Sequence, residues 1–412
     1  MGLPVRVIGW VTIAASVLRL PGWNMRIVRL ANFIAPRSGG LRTALNELGA
    51  GYVAAGHEAV LVIPGPEAGR HDTPSGQVIT VPGPVVPWSG GYRVITARRS
   101  LKRLLDELGP DRLEVSDRTT LRWTGRWARS RGVRSLMVSH ESLDGLLRLF
   151  APRFIPSASG SGDGRADRIV TGLADRLNRR TAADFDMVVC TTEWAAAEFR
   201  RLDVPNLTRV PLGVDLARFS PERHDPELRR RFAAPGEPLL VHCSRLSPEK
   251  RPDRPIEALR ELRSRGVPAV LVVAGDGPRR AALEALASGL PVHFLGHVSD
   301  RDLLARLLAT ADVAVAPGPV ETFGLAALEA LASGTPVVVS RQSALPEVIG
   351  ESGVAVGDDP GEYADAVGAL LDGEEESRRA RARRQAERFD WPGSVDGFLR
   401  AHGLANLIGG RR

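Results

Sequence analysis

Apolar positions along this chain come in short continuous runs. In the first half they read "MRIVRLANF" from Met25, then "AVLVI", "VITV", "RLEVS", "SLMVS" and "MVVCTT". In the second half they read "LLVHC", "AVLVVAG", "VHFLG", "DVAVAP", "PVVVS" and "GVAVG". Runs of this kind predict strands buried on both faces of a parallel sheet. Longer amphipathic stretches follow many of them, among them "LRTALNELGAGYVAAG", "RPIEALRELRSRG" and "GPRRAALEALASG". The alternation predicts a doubly wound α/β fold. The strands fall into two sets, separated by the turn-rich stretch Val210–Glu222, "VPLGVDLARFSPE", which reads as an interdomain hinge.

The expected architecture is therefore two Rossmann-like domains facing each other across a cleft. The first spans 25–213 and the second 214–390, with a C-terminal helix in 391–412 packing back on the first. A length of 412 residues supports two cores. Residues 1–24 read as an extension without fixed structure. Their run "VRVIGWVTIAASVLRL" resembles a weak signal-peptide core, but it is broken, lacks a clear cleavage site and is short for a spanning helix. A weak anchor stays open. The segment Pro152–Gly164 contains "SASGSGDG" and is expected to be a flexible loop.

Composition narrows the partners. The apolar fraction of 43% and charged fraction of 25% suit a soluble protein, and a net charge of +7 points to phosphates, nucleic acid or an anionic membrane surface. RNP, helix-turn-helix and zinc signatures are missing, which weighs against nucleic acid. Cys190 and Cys243 lie in strand-like runs and read as buried free thiols of a reducing compartment.

The candidate chemistry sits at strand ends. "FIAPRSGGLRTALNELG" places Gly39 and Gly40 between a strand and a helix start, where backbone can approach a phosphate closely; an ordinary turn explains them as well. No GxGxxG or Walker sequence accompanies them, so hydride transfer and ATP hydrolysis lose ground. Arg245 and Lys250 in "HCSRLSPEKRPD" follow the first strand of the second domain. Two cations in such a loop can grip one diphosphate, although a solvated loop would look the same. "VVAGDGPRRAAL" puts Gly275 at another strand end, as a turn or a pocket wall, and "MVSHESLDG" puts His140 and Glu141 at a third, where the histidine could contact a substrate or be an ordinary packed one.

"ETFGLAALEA" carries an acid near each end, Glu321 and Glu329. A helix starting near Phe323 would separate them by roughly 12 Å. That span matches hexose to ribose in a nucleotide sugar, with the diphosphate on the amides near Phe323, Gly324 and Leu325. "ETFGLAALEALASGTPVVVS" together with "SRLSPEKRPD", "VPLGVD", "AGDGP" and "SGG" resembles the retaining family 4 glycosyltransferases of the GT-B fold, over nearly all of the chain from Met25 to about His402. "ANFIAPRSGGLRTALNELGAGY", "LEVSDRTTLRWTG", "VSHES" and "APGPVETFGLAALEA" resemble, more narrowly, the actinobacterial GDP-mannose-dependent α-mannosyltransferases of glycolipid synthesis.

The resemblance implies roles. Gly39 and Gly40 match the phosphate loop, and Arg245 and Lys250 the diphosphate clamp. Glu321 matches the acid that holds the donor sugar, Glu329 the ribose ligand and His140 the histidine beside the transferred sugar. No cofactor or metal is expected beyond the GDP-mannose donor, and a front-face retaining mechanism is implied. The implied acceptor is lipid-linked, of the glucuronosyl diacylglycerol or phosphatidylinositol mannoside type. A UDP-sugar transferase with a soluble acceptor, a sugar-nucleotide epimerase and a binding-only relative stay open. No obligatory protein partner is evident. The expected location is cytoplasmic, peripheral on the inner face of the cell membrane. There the segment Arg93–Leu108, with Arg98, Arg99, Lys102 and Arg103 beside Leu101, Leu104 and Leu105, could lie on anionic lipid, although a packed domain helix with a solvated face would look the same. Trp123 and Trp127 among arginines suit either a membrane interface or a core.

Overall fold

The computed structural model describes residues 24–33, 39–86, 91–140 and 164–404. The extension, the loop before Gly164, and Glu141 lie outside them. The first sheet has eight strands, β1 Arg26–Leu30, β2 Glu58–Gly65, β3 Gly69–Thr73, β4 Gly76–Pro82, β5 Arg112–Val115, β6 Arg134–Ser139, β7 Met187–Cys190 and β8 Leu207–Arg209, in the order β3-β4-β2-β1-β5-β6-β7-β8. The second has six, β9 Leu239–Cys243, β10 Val270–Ala274, β11 Val292–Gly296, β12 Val313–Ala316, β13 Val337–Ser340 and β14 Gly353–Val356, in the order β11-β10-β9-β12-β13-β14. Every pairing is parallel except β3 with β4.

Burial explains the apolar runs. All five residues of β10 are buried, and both faces of its sheet carry helices, so no polar position is tolerated. β3, "GRHDT", has four of its five residues exposed as an antiparallel edge, so apolar patterning does not reveal it. In each sheet the strand order reverses beside the first strand, between β1 and β5 and between β9 and β12. Ligands of open α/β sheets bind outside the carboxyl ends of the strands at such reversals.

The chain crosses between the domains twice, side by side. Val214 pairs with Asp390 in a parallel bridge, and Val214 N–H donates to the Phe389 carbonyl at 3.1 Å. Beside them a Cβ on Gly213 would lie 2.4 Å from the Asp390 carbonyl carbon, so only glycine lets the two crossings touch. The helix Trp391–Ala401 then packs on the helix Gly40–Ala54 of the first domain. It is tied there by Arg112 Nε donating to the His402 carbonyl (2.9 Å) and by a buried cluster. In that cluster Tyr52 Oη donates to Glu114 Oε2 at 2.8 Å, His402 Nε2 stands 3.4 Å from the same oxygen, and Arg29 lies over the Tyr52 ring. Both cysteines are free, Cys190 buried and Cys243 half-buried, and burial pushes the Cys190 thiol up to about 12. No helix among the described residues is long and apolar enough to cross a membrane.

Candidate active site

The reversal in the second sheet gathers charge. The loop after β9 supplies Arg245, Glu249 and Lys250, and the loop after β12 supplies Glu321. His242, buried in β9, makes a hydrogen bond from Nδ1 to the Val315 carbonyl (2.8 Å) and holds the two strands in register. Lys250 Nζ reaches Glu321 Oε1 at 2.5 Å, spanning the reversal. Arg245 donates to Glu249 and, through Nε, to Ser247 Oγ at 3.1 Å. Arg245 and Glu249 share a turn, and the side chains of both pairs keep some exposure to water, so both pairs are open to exchange with an incoming anion.

The first domain closes the site from above. Thr322 Oγ1 donates to the His140 carbonyl at 2.6 Å, and Thr192 Oγ1 donates to the Thr322 carbonyl at 2.9 Å. These bonds carry His140 to the loop of Glu321. His140 Nε2 is buried with no hydrogen-bond partner among the described residues. Burial lowers its pKa to about 4, so the ring is neutral at pH 7. Arg245 lies over the ring of Tyr92, a first-domain residue, at 4.9 Å. A Cβ on Gly40 would lie 3.6 Å from Leu325 Cδ1, so the starts of helices Gly40–Ala54 and Leu325–Ala332 meet across the cleft. Neither start has a side-chain cap. Two helix N-termini and two cations give one positive region at the centre of the cleft. Glu347 closes the rim: its Oε2 accepts from the amides of Glu193 (2.7 Å) and Trp194 (3.2 Å), and its Oε1 from Arg209 (2.7 Å). A second-domain acid thus caps a first-domain helix.

Glu329 stands apart from this group, in a cavity of about 220 Å³ lined also by Asn46, Glu47, Asp215, Arg218 and Arg301. Arg301 Nη2 bonds its Oε1 at 2.7 Å and rests on the Phe219 ring. Burial raises the Glu329 pKa, opposed by Arg301. Sequence reasoning missed Arg301 and Asp215. Asp215 is legible only as the last residue of "VPLGVD", and Arg301 sits in a polar helix start, "SDRD", with no distinguishing pattern.

Two expectations need correction, the start of the helix after Glu321 and the leucine footing of the helix Arg98–Leu108. The helix begins at Leu325 and not near Phe323, because Gly324 takes a left-handed φ of 79° that no helical residue shares. Glu321 therefore lies in the preceding loop, and only Glu329 is helical. The Phe323 side chain is buried against Phe389 at 5.9 Å, which leaves only its backbone for a ligand. Gly275 is required by packing: a Cβ there would stand 1.8 Å from the Ser244 carbonyl oxygen, so its glycine brings the β10 loop against the loop that holds Arg245. Leu101 and Leu105 of the helix Arg98–Leu108 are buried, and Leu104 packs against the same core, so the leucines form no membrane footing. Trp127 is buried too, with Nε1 donating to Asp106 (3.1 Å).

Comparison with known proteins agrees with this geometry. Residues 39–213 match the glycosyl transferase 4-like domain and residues 237–373 the glycosyl transferases group 1 family. Over 377 residues the chain is 50% identical to a GDP-mannose-dependent alpha-(1-6)-phosphatidylinositol dimannoside mannosyltransferase of Mycobacterium tuberculosis, covering 91% of this chain and 95% of that one. It is 35% identical over 257 residues to the corresponding monomannoside mannosyltransferase of Mycolicibacterium smegmatis, covering 57% of this chain and 65% of that one. Among solved structures, sucrose-phosphate synthase from Thermosynechococcus elongatus superposes with a TM-score of 0.70 at 20% identity, covering 92% of this chain and 98% of that one. These structures speak for the fold, the full-length relative for the family, and together they show that the chain belongs to the group 1, family 4 glycosyltransferases of GT-B architecture.

Proposed function

We propose that this enzyme transfers mannose from GDP-mannose, with α linkage, to the head group of a membrane glycolipid of the phosphatidylinositol mannoside or glucuronosyl diacylglycerol type. The observation that carries the reading is the Lys250–Glu321 pair at the strand-order reversal, beside His140 and between two helix starts. The relative with half its residues in common supports the donor and the lipid acceptor.

In the proposed cycle the donor's diphosphate displaces Glu249 from Arg245 and draws Lys250 off Glu321. Glu321 is then free to accept hydroxyls of the mannose, and Gly39, Gly40 and the amides of Gly324 and Leu325 face the phosphates. Glu329, steadied by Arg301, accepts from the ribose. The C1–O bond to the β-phosphate breaks with its electron pair on the phosphate. The acceptor oxygen bonds C1 on the same face, and its proton passes to the departing phosphate oxygen, so configuration is retained. Arg245 and Lys250 meet the charge as it develops, in place of a metal. His140, neutral at pH 7 with one ring N–H, offers a hydrogen bond beside C1 without adding charge.

Arg99, Lys102 and Arg103 remain exposed on the helix Arg98–Leu108, and we place this face against anionic lipid on the cytoplasmic side. Lys102 is partly spent on Asp106, at 2.7 Å. The test is transfer of labelled mannose from GDP-mannose, against UDP-glucose and GDP-glucose, to extracted membrane lipid, with and without chelator. Preference for a UDP-sugar, loss of transfer on chelation, or a β product would overturn the corresponding part of the reading.

A further inference from the structure

A second cavity, of about 360 Å³, opens in the first domain between the segment that follows β5 and the start of the helix Arg98–Leu108. Arg98, Arg122 and Arg126 line it, with Trp123, Thr96 and Thr119. Its charge is poorly balanced. Arg122 Nε stands 3.5 Å from Asp184 Oδ2, and Arg126 Nη1 stands 3.8 Å from the other oxygen of the same carboxylate. Arg122 Nη1 is buried with no hydrogen-bond partner among the described residues. Arg98 lies over the Trp123 ring at 4.7 Å. The other nearby acid, Asp117, is already filled: it accepts from Asn32, from the amides of Thr119, Thr120 and Leu121, and from both threonine hydroxyls.

Two helices, Arg98–Leu108 and Trp123–Ser130, begin at this cavity, and neither has a capping side chain or an acid in its first turn. Arginines at a helix N-terminus oppose the helix dipole, unless an anion sits between them. Thr119 gives its hydroxyl proton to Asp117 at 2.6 Å, which leaves its oxygen as an acceptor. The walls therefore offer cationic donors for an anion and an acceptor for a neighbouring hydroxyl.

We infer that this cavity binds the phosphate of a phosphate-bearing polyol, the head group of the acceptor lipid. The inference rests on the glycolipid reading above and adds where the acceptor's charge is held. Donors converge here from separate walls. A tetrahedral phosphate can receive them in several directions, whereas a carboxylate takes them in one plane. The position suits an acceptor. Tyr92 touches the donor clamp at Arg245, and Thr96, four residues on, lines the cavity. Four extended residues span at most about 14 Å, so the phosphate lies within a few sugar widths of the clamp.

The test uses the GDP-saturated full chain and calorimetry, so that binding is read without turnover. The ligands are glycerophosphoinositol, inositol, inorganic phosphate and glucuronate. Glycerophosphoinositol should bind about tenfold or more tighter than inositol or phosphate. The variant R98Q/R126Q changes two exposed side chains, keeps the partly buried Arg122, and should lose that advantage while GDP affinity stays as in the wild type. Unchanged binding by the folded variant would overturn the site. Equal affinity for inorganic phosphate would make it a free-phosphate site, and tighter binding of glucuronate would make it a uronate site; either overturns the inference as stated. If glycerophosphoinositol binds as expected but no mannose reaches any lipid, the cavity stands and the transfer reading alone fails.

Discussion

The two charged sites, one in each domain, differ in how they hold charge. In the second domain each clamp cation already has a carboxylate, Arg245 with Glu249 and Lys250 with Glu321. In the first, two arginines share Asp184 at 3.5 and 3.8 Å, and a third rests on a tryptophan. A paired site stays folded and soluble when empty, and it exchanges partners when the ligand arrives. An unbalanced site holds a standing attraction for anions. The difference suits a donor that comes and goes with each cycle, and an acceptor that must be found on a surface.

The largest effect should come from removing a clamp cation. Lys250→Ala should lower kcat by about 10² to 10³-fold, the scale of one electrostatic donor to a developing anion. GDP affinity should fall much less, because the contact strengthens as the bond breaks. Steady-state kinetics beside GDP calorimetry decide it; a matching loss in GDP binding would mean that Lys250 serves only the ground state. The carboxylates should then divide. Glu329→Ala should weaken GDP by about tenfold, the worth of a lost charged hydrogen bond. Glu321→Ala should spare GDP and lower turnover. Similar GDP losses in both would erase the separation between loop acid and helix acid.

How much of this was legible in the sequence can be judged residue by residue. Twelve strands announce themselves, because strands covered on one or both faces are mostly apolar, and the few polar residues they hold, such as Arg29, Glu114 and His242, do not break the runs. β3 and β8 do not, since an exposed edge and a three-residue strand leave no apolar run. Arg245, Lys250 and Glu321 could be found from their places after strands. Their pairing could not, because Lys250 and Glu321 are 71 positions apart and meet only through the parallel β9–β12 contact. The arginine cavity was hidden for a related reason. Its arginines read as the polar side of helices, and only the packed leucines show which way that side faces.

A smaller effect is expected at the rim. Glu347→Ala removes a cap that crosses between domains, and should destabilise by about 1 kcal/mol. In scanning calorimetry it should lower Tm by a few degrees, or split one transition into two. An unshifted transition would mean that the rim bonds do not couple the domains. The smallest effect is an absence. With its pKa near 4, His140 should give kcat no inflection between pH 6 and 8. Its stability effect lies lower. The unfolded ring takes a proton below about 6.5 while the folded ring does not, so stability should fall from pH 6.5 to about 4 and level off beneath. His242 and His402, lowered by burial as well, act in the same direction. A stability curve flat across that window would contradict their neutrality in the fold.

The bridge between Val214 and Asp390 sets the mechanics of the whole molecule. Two bodies whose chain crossings lie side by side on one line can swing about it more easily than they slide, and each becomes a lever about that line. Gly213 is the bearing surface, and any side chain there would jam it. On such a lever the contacts far from the pivot travel the most for a given angle. A rotation about the pivot would therefore part Tyr92 from Arg245 and release the Glu347 rim in one stroke, and the returning stroke would reassemble them around whatever anion has entered.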